Sequence, residues 1–259
     1  MDHFFGYGSW EARVWFVAYE ESGGDLPEEV AERFDYFDNV HASVTTATLC
    51  DIRDLYRHVT AELEGTRGDL FKNLYEYRFG PNAIIHGIWK NLIAFVHGYN
   101  GEKLPDLLSY QKTTFAMSSS PEALINLYPL PSPHNHAWYY SWLDLPDFSY
   151  LKRRNVYEHH VYPHRIQRIL QNIEKYKPAV ILMYDMNNIN TLKQSVQVFF
   201  PGAKFQMVKA IKQETPQYHR ADCNGTTILV TTQTPALKHN RVETGYDWQA
   251  LGRKVKSDS

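Results

Sequence analysis

Two adjacent carboxylates, Glu20 and Glu21, follow the apolar run Val14–Tyr19 and lead into Ser22, Gly23 and Gly24. A carboxylate fixed at the end of a buried strand can stabilise a developing positive charge and orient an attacking water. Far along the chain, Ile228–Leu237 reads I-L-V-T-T-Q-T-P-A-L, an apolar run that ends in a polar loop broken by Pro235. The amide of Gln233 can donate a hydrogen bond to an oxygen that gains charge. A third apolar run, Leu124–Tyr128, carries Asn126, whose amide offers both a donor and an acceptor. In an open α/β sheet, ligands bind where strand carboxyl ends meet loops, so these ends can build one site.

Such a site needs strands that end level with one another. Val14–Tyr19, Leu124–Tyr128, Ala179–Tyr184, Phe205–Ala210 and Thr226–Thr232 read as strands, several of them apolar on both faces. Helical patterns lie between them. One starts at Leu26 with a proline and acids in its first turn, and others cover Ile52–Leu63, Asp69–Tyr77, Pro81–His97, Lys152–Tyr176 and Ile189–Phe199. Ile166, Ile169, Leu170 and Ile173 follow the spacing of a buried helix face. This alternation predicts a mostly parallel sheet between helical layers. The tail after Arg253 is expected to be loose.

Composition narrows the function. At 259 residues, with 43% hydrophobic and 22% charged residues, the chain has the make-up of a globular α/β protein. No apolar run approaches the ~20 residues of a membrane span. The start, M-D-H-F-F-G-Y, lacks a secretory leader, so a cytoplasmic protein without a membrane partner is expected. Cys50 and Cys223 are too few for an iron–sulfur cluster. The His-containing stretches Pro133–His136 and Glu158–His160 match no zinc spacing. No G-x-x-x-x-G-K-[ST] occurs, and no G-x-G-x-x-G follows a strand, which argues against a nucleotide-dependent enzyme. Charge is uneven: residues 1–149 carry a net −11, 150–220 a net +8 and 221–259 a net +1. A basic second half suits phosphates.

The order of the strand with its acidic glycine loop, Ile125–Pro133 (I-N-L-Y-P-L-P-S-P), Tyr176–Tyr184 (Y-K-P-A-V-I-L-M-Y) and Val230–Leu237 (V-T-T-Q-T-P-A-L) resembles the uracil-DNA glycosylase superfamily over about half the chain. The resemblance implies an α/β three-layer sandwich. Its central four-stranded, mostly parallel sheet would form a single domain over 1–259, with a largely helical insertion at 25–122. It implies base flipping and hydrolysis of the N-glycosidic bond, with DNA, duplex or single-stranded, as partner. No cofactor or metal is implied, and a monomer is expected. Glu20 falls where the family's Asp or Asn positions water, with Glu21 beside it in the place of Pro as a reserve carboxylate. Ala18 replaces a Gly. Gln233 replaces the His that hydrogen-bonds the departing base. Asn126 would read the base edge, and Phe115, Tyr128 or Tyr19 would stack on it. Leu237 would fill the hole left by the flipped base, and Lys238, His239 and Arg241 would grip flanking phosphates.

Two departures point away from ordinary uracil. Ser22 stands where uracil-specific enzymes carry the Tyr that excludes a 5-methyl group, and a Gln amide cannot carry the charge of the family's His. The expected substrate is therefore a modified pyrimidine, such as the bulky 5-substituted, glucosylated hydroxymethylcytosine of phage DNA, by analogy with superfamily members that act in phage defence. Two other readings fit the same residues. One is a conventional uracil or mismatch glycosylase. The other is a nucleic-acid-binding protein that keeps the fold without catalysis.

Overall fold

The computed structural model describes residues 2–24, 26–133, 138–143, 145–212, 214–236 and 245–258. In chain order the elements are β1 (Phe4–Tyr7), β2 (Val14–Ala18), α1 (Pro27–Val40), β3 (Thr48–Cys50), α2 (Ile52–Arg57), α3 (Gly65–Gly68), α4 (Leu74–Phe79), α5 (Trp89–Asn100), α6 (Leu107–Thr113) and β4 (Glu122–Asn126). They continue with α7 (Arg154–Tyr176), β5 (Val180–Tyr184), α8 (Ile189–Phe199), β6 (Gln206–Val208), β7 (Tyr218–Cys223), β8 (Thr226–Val230) and α9 (Trp248–Ser257). No helix among the described residues is long and apolar enough to cross a membrane.

The fold is α/β, but the sheet corrects the expectation of four parallel strands. Among the described residues it is mixed and has eight, in the order β3-β1-β4-β2-β5-β8-β7-β6. Neighbours β4, β2, β5 and β8 run parallel in its middle. On one flank β1 pairs antiparallel with β4 and parallel with β3. On the other, β7 and β6 continue as antiparallel strands. The central strands are buried along their whole length, as their mainly apolar sequences require of strands covered on both faces.

Side chains alternate between two cores. Trp15, Val17, Ile125, Ile181, Met183, Ile228 and Val230 pack with Ile166, Ile169, Leu170 and Ile173 of α7 and Leu192 and Val196 of α8. Phe16, Ala18, Leu124, Leu182, Tyr184 and Leu229 face α1, α2, α5 and α9 instead. The stretch between β2 and β4 supplies most of that second layer. It also supplies the edge strand β3, which the expectation of a largely helical insertion at 25–122 does not include.

The tail after Arg253 is not loose: α9 runs to Ser257 and buries Trp248, Leu251 and Val255. Those residues are spaced on one helix face, and the Asp247 side chain accepts a hydrogen bond from the Ala250 N–H at the first turn. Glycines let α9 lie against α5 backbone to backbone. A Cβ on Gly252 would sit 2.2 Å from the Phe95 carbonyl oxygen, and one on Gly98 would sit 2.1 Å from that of Gln249.

One buried cation ties the sheet end together. Arg165 of α7 is 1% exposed and donates to the backbone carbonyls of Phe4, Asn126 and Leu127. Its guanidinium lies 3.6 Å over the Phe5 ring. Burial pushes its pKa down to about 9 against the weaker opposing effects of Tyr157 and Asp2. Arg165→Met strands three buried carbonyls, and each such group costs about 1–3 kcal/mol. Chemical denaturation is expected to show a loss of about 3 kcal/mol or more. An unchanged midpoint would mean that the carbonyls find other donors.

Candidate active site

The register places Ala18 beside both Asn126 and Tyr184, so three strands end level. The chain beyond β2 stays next to the chain beyond β4: Leu127, Tyr128 and Ser132 donate backbone N–H bonds to Ala18, Tyr19 and Glu21. Gly23 (φ 124°) and Gly24 (φ 72°) then turn the chain toward α1 in a conformation that suits glycine. A Cβ at Gly24 would meet Pro131 at 2.9 Å. Between these strand ends and the helical layer lies a cavity of about 540 Å³.

Glu20, Glu21, Ser22 and Asn126 all line this cavity. Both Glu20 carboxylate oxygens lie 2.6 Å from Nη2 of Arg154, which also binds Glu158 at 3.0 Å. The Glu20 side chain is 7% exposed. Burial pushes its carboxyl up to about 7 against the pull of Arg154, with Glu158 and Asp185 pushing the same way as burial. Glu21 is held more fully. It accepts hydrogen bonds from the hydroxyls of Tyr7 and Tyr56 and from Arg33, which also pairs with Glu29. Its role is that of an anchored anion.

Asn126 is 1% exposed, and its carbonyl is fixed by Arg165. Its Nδ2 is buried and has no hydrogen-bond partner among the described residues. A buried donor left unmade costs free energy that an acceptor on a ligand recovers.

Gln233 is half-buried and does not line the cavity; its neighbour Thr234 does. The Gln233 carbonyl accepts from the Asp185 N–H at 3.3 Å, and the Thr234 hydroxyl donates to the Asp185 carboxylate at 2.6 Å. Asp185, directly after β5, is a cavity residue that sequence reading missed. Its φ of 60° is left-handed, a strained conformation that Asp tolerates better than most residues. The signal was present, because an acid after the buried run Ala179–Tyr184 repeats the pattern that drew attention to Glu20.

The expected stacking residues lie elsewhere. Tyr19 and Tyr128 pack on each other in the core with ring centroids 4.7 Å apart. Phe115 is fully buried behind Trp89. The aromatic rings that line the cavity belong to Tyr56, Trp89 and Tyr184. Leu237, Lys238, His239 and Arg241 lie outside the described residues, as do His134 and His136. Among the described residues no three His, Cys, Asp or Glu side chains form a group suited to a metal.

The helical wall carries Arg67, Arg78 and His86, none visible as a motif. The Nδ1 of His86 accepts from the N–H groups of Ile88 and Trp89 at the start of α5, and its ring stacks on Trp89 at 4.4 Å. A ring that accepts at Nδ1 carries its proton on Nε2. Burial and the charge of Arg78 hold the His86 pKa well below its ordinary value, so the ring is a neutral donor.

Burial of Glu20 gives a signed pH effect. Its pKa rises from 4.5 to about 7 on folding, so the native state holds the proton more tightly than the unfolded chain. The associated stability is fully present below pH 4.5 and is lost as pH rises through 7. Glu20→Gln removes that titration. Denaturation from pH 4.5 to 8 is expected to show the variant gaining about 3 kcal/mol relative to the parent. Parallel pH profiles would show that Glu20 titrates normally. No protein-family model, curated protein or solved structure matches the chain, so this geometry is what a functional reading rests on.

Proposed function

We propose that the chain is a DNA glycosylase that takes a flipped base into this cavity and hydrolyses its N-glycosidic bond, with a modified pyrimidine as substrate. The observation that carries the reading is the meeting of Glu20, Asn126 and Asp185 in one cavity at the carboxyl ends of neighbouring parallel strands. The parallel block β4-β2-β5-β8 in the middle of the sheet supports a uracil-DNA glycosylase-like architecture.

In the proposed reaction the C1′–N bond breaks and its electron pair leaves with the base. Asn126, through its unpaired Nδ2, donates a hydrogen bond to the departing ring. Ionised Glu20 stabilises the cationic sugar and accepts the proton of the water that adds to C1′. Five acids line the cavity, Glu20, Glu21, Glu29, Glu64 and Asp185, against Arg33, Arg67 and Arg78. That balance suits a transition state that gains positive charge.

Size favours a substituted base. A volume of about 540 Å³ holds on the order of twenty waters, and a bare pyrimidine fills less than half of it. Ser22, a small side chain, is one of the lining residues. The Arg154 ion pair favours a second reading, a nucleic-acid-binding protein in which Glu20 is structural.

An oligonucleotide panel separates these readings. Uracil, mismatched thymine, hydroxymethylcytosine and glucosylated hydroxymethylcytosine would each be scored for base release. The proposal expects abasic sites from a 5-substituted pyrimidine. It also expects Glu20→Gln to lose about 10²-fold or more in turnover while still binding DNA. Release of uracil alone would remove the modified-base reading, and no release from any strand would favour the binding protein. Because only ionised Glu20 serves, kcat/KM is expected to rise with pH to a plateau, with a midpoint near 7. A flat profile would take Glu20 out of the chemistry.

A further inference from the structure

The helical wall of the cavity holds an unneutralised pair of cations. Arg78 lies with its guanidinium carbon 4.1 Å from the Tyr77 ring centroid, and Arg67 lies 5.5 Å from the same centroid. Arg78 also lies 5.7 Å from the Trp89 ring. Both arginines line the cavity, and no described carboxylate comes within 4 Å of either guanidinium. Glu64 lines the cavity too, yet pairs with neither. By contrast, Arg33, Arg53 and Arg154 each have a carboxylate partner.

Two like charges sharing one ring repel each other, and half-buried Arg78 also loses hydration, while Arg67 stays exposed. Both effects lower the pKa of Arg78. A bound anion reverses both. His86 adds a third donor, since its Nδ1 is committed to α5 and its Nε2–H makes no other hydrogen bond among the described residues. Asn126, buried and unpaired, lines the same cavity from the sheet side. The helical side of the cavity therefore carries two arginines and a neutral histidine donor, while Glu20 and Glu21 across from them already have counter-ions in Arg154 and Arg33.

We propose that Arg67, Arg78 and the neutral His86 form a phosphate subsite that holds the ester phosphate of the nucleotide whose base lies against Asn126. Guanidinium groups suit this task through paired, charge-assisted hydrogen bonds to phosphate oxygens. The phosphate belongs either to a DNA backbone or to a free nucleotide. The inference rests on the base-excision reading only for the identity of the ester, because anion binding is measurable without turnover.

Isothermal titration of the full chain with deoxycytidine and with deoxycytidine monophosphate tests it, together with a short single-stranded oligonucleotide. The parent chain is expected to bind the monophosphate, the oligonucleotide or both, the monophosphate at least tenfold more tightly than the nucleoside if it binds. Arg78→Met is expected to lose about tenfold or more of that phosphate-dependent affinity. Arg78→Lys is expected to recover part of it, and Arg67→Met to lose less. Thermal melts of each variant separate misfolding from lost binding, and a misfolded Arg78→Met leaves Arg67→Met as the deciding variant. Arg78-dependent binding of the monophosphate assigns the site to free nucleotides, and of the oligonucleotide alone to backbone phosphate. Equal affinity for nucleoside and monophosphate, with arginine-independent oligonucleotide binding, would overturn the subsite. Glu20→Gln is expected to keep the phosphate dependence. If no base is released but Arg78-dependent binding persists, the excision reading fails and the subsite stands.

Discussion

The carboxylate of Glu21 is gripped by Tyr7 of β1, Arg33 of α1 and Tyr56 of α2. This one anion therefore fastens the end of β2 to an edge-side strand and to the two helices that open the insertion. Burying it is costly on its own, and it is tolerated because every lone pair that matters meets a donor. Burial first, and then the charge of Glu21, raises the pKa values of Tyr7 and Tyr56 against the opposing pull of Arg33, which keeps both hydroxyls protonated as donors. This anchor sets where α1 and α2 stand relative to the end of β2. With it in place, the neighbouring Glu20 faces the cavity with a single cation as its partner.

The remaining walls are set by similar constraints. Arg165 holds the carbonyl of Asn126, so the orientation of the unpaired amide is fixed by backbone rather than by a ligand. Asp185 binds Thr234, which ties the end of β5 to the loop after β8, and Asn91 of α5 donates to the Pro235 carbonyl in that loop. Asn126 thus sits at a strand end with its backbone held by Arg165, and Glu20 and Asp185, just past strand ends, are each held by a second side chain. Preorganisation of this kind is what an electrostatic mechanism needs, since the dipoles are in place before charge develops. The wide cavity and the neutral donor His86 are consistent with a ligand larger than a bare base.

How much of this was legible follows from the kind of signal each part leaves. Mainly apolar runs mark β2, β4, β5 and β8, because strands covered on both faces need no polar alternation. The acids after β2 and the Asn of β4 were legible for the same reason, since polar groups at the end of a buried run stand out. The flanking strands β1, β3 and β7 were not, because β1 and β3 are short and β7 mixes apolar with charged residues. Helix α9 was missed although Trp248, Leu251 and Val255 are spaced on one face; its lysines and short length masked the pattern. Arg67 of α3, Arg78 of α4 and His86 of the loop before α5 meet only through tertiary packing, so no local spacing announces them. Tyr19 and Phe115 read as plausible stacking rings, but strand alternation and α5 packing turn them into the core.

The central claim is that the base of a target nucleotide enters this cavity against Asn126 with its sugar at Glu20. The most direct measurement is a crystal structure of the chain with an oligonucleotide bearing a non-hydrolysable analogue of the 5-substituted nucleoside. The account predicts the base inside the cavity, an acceptor atom of the ring within hydrogen-bond reach of Asn126 Nδ2, and C1′ facing the Glu20 carboxylate. A complex in which the strand binds elsewhere, or in which the base stays stacked and the cavity is left empty, would contradict it.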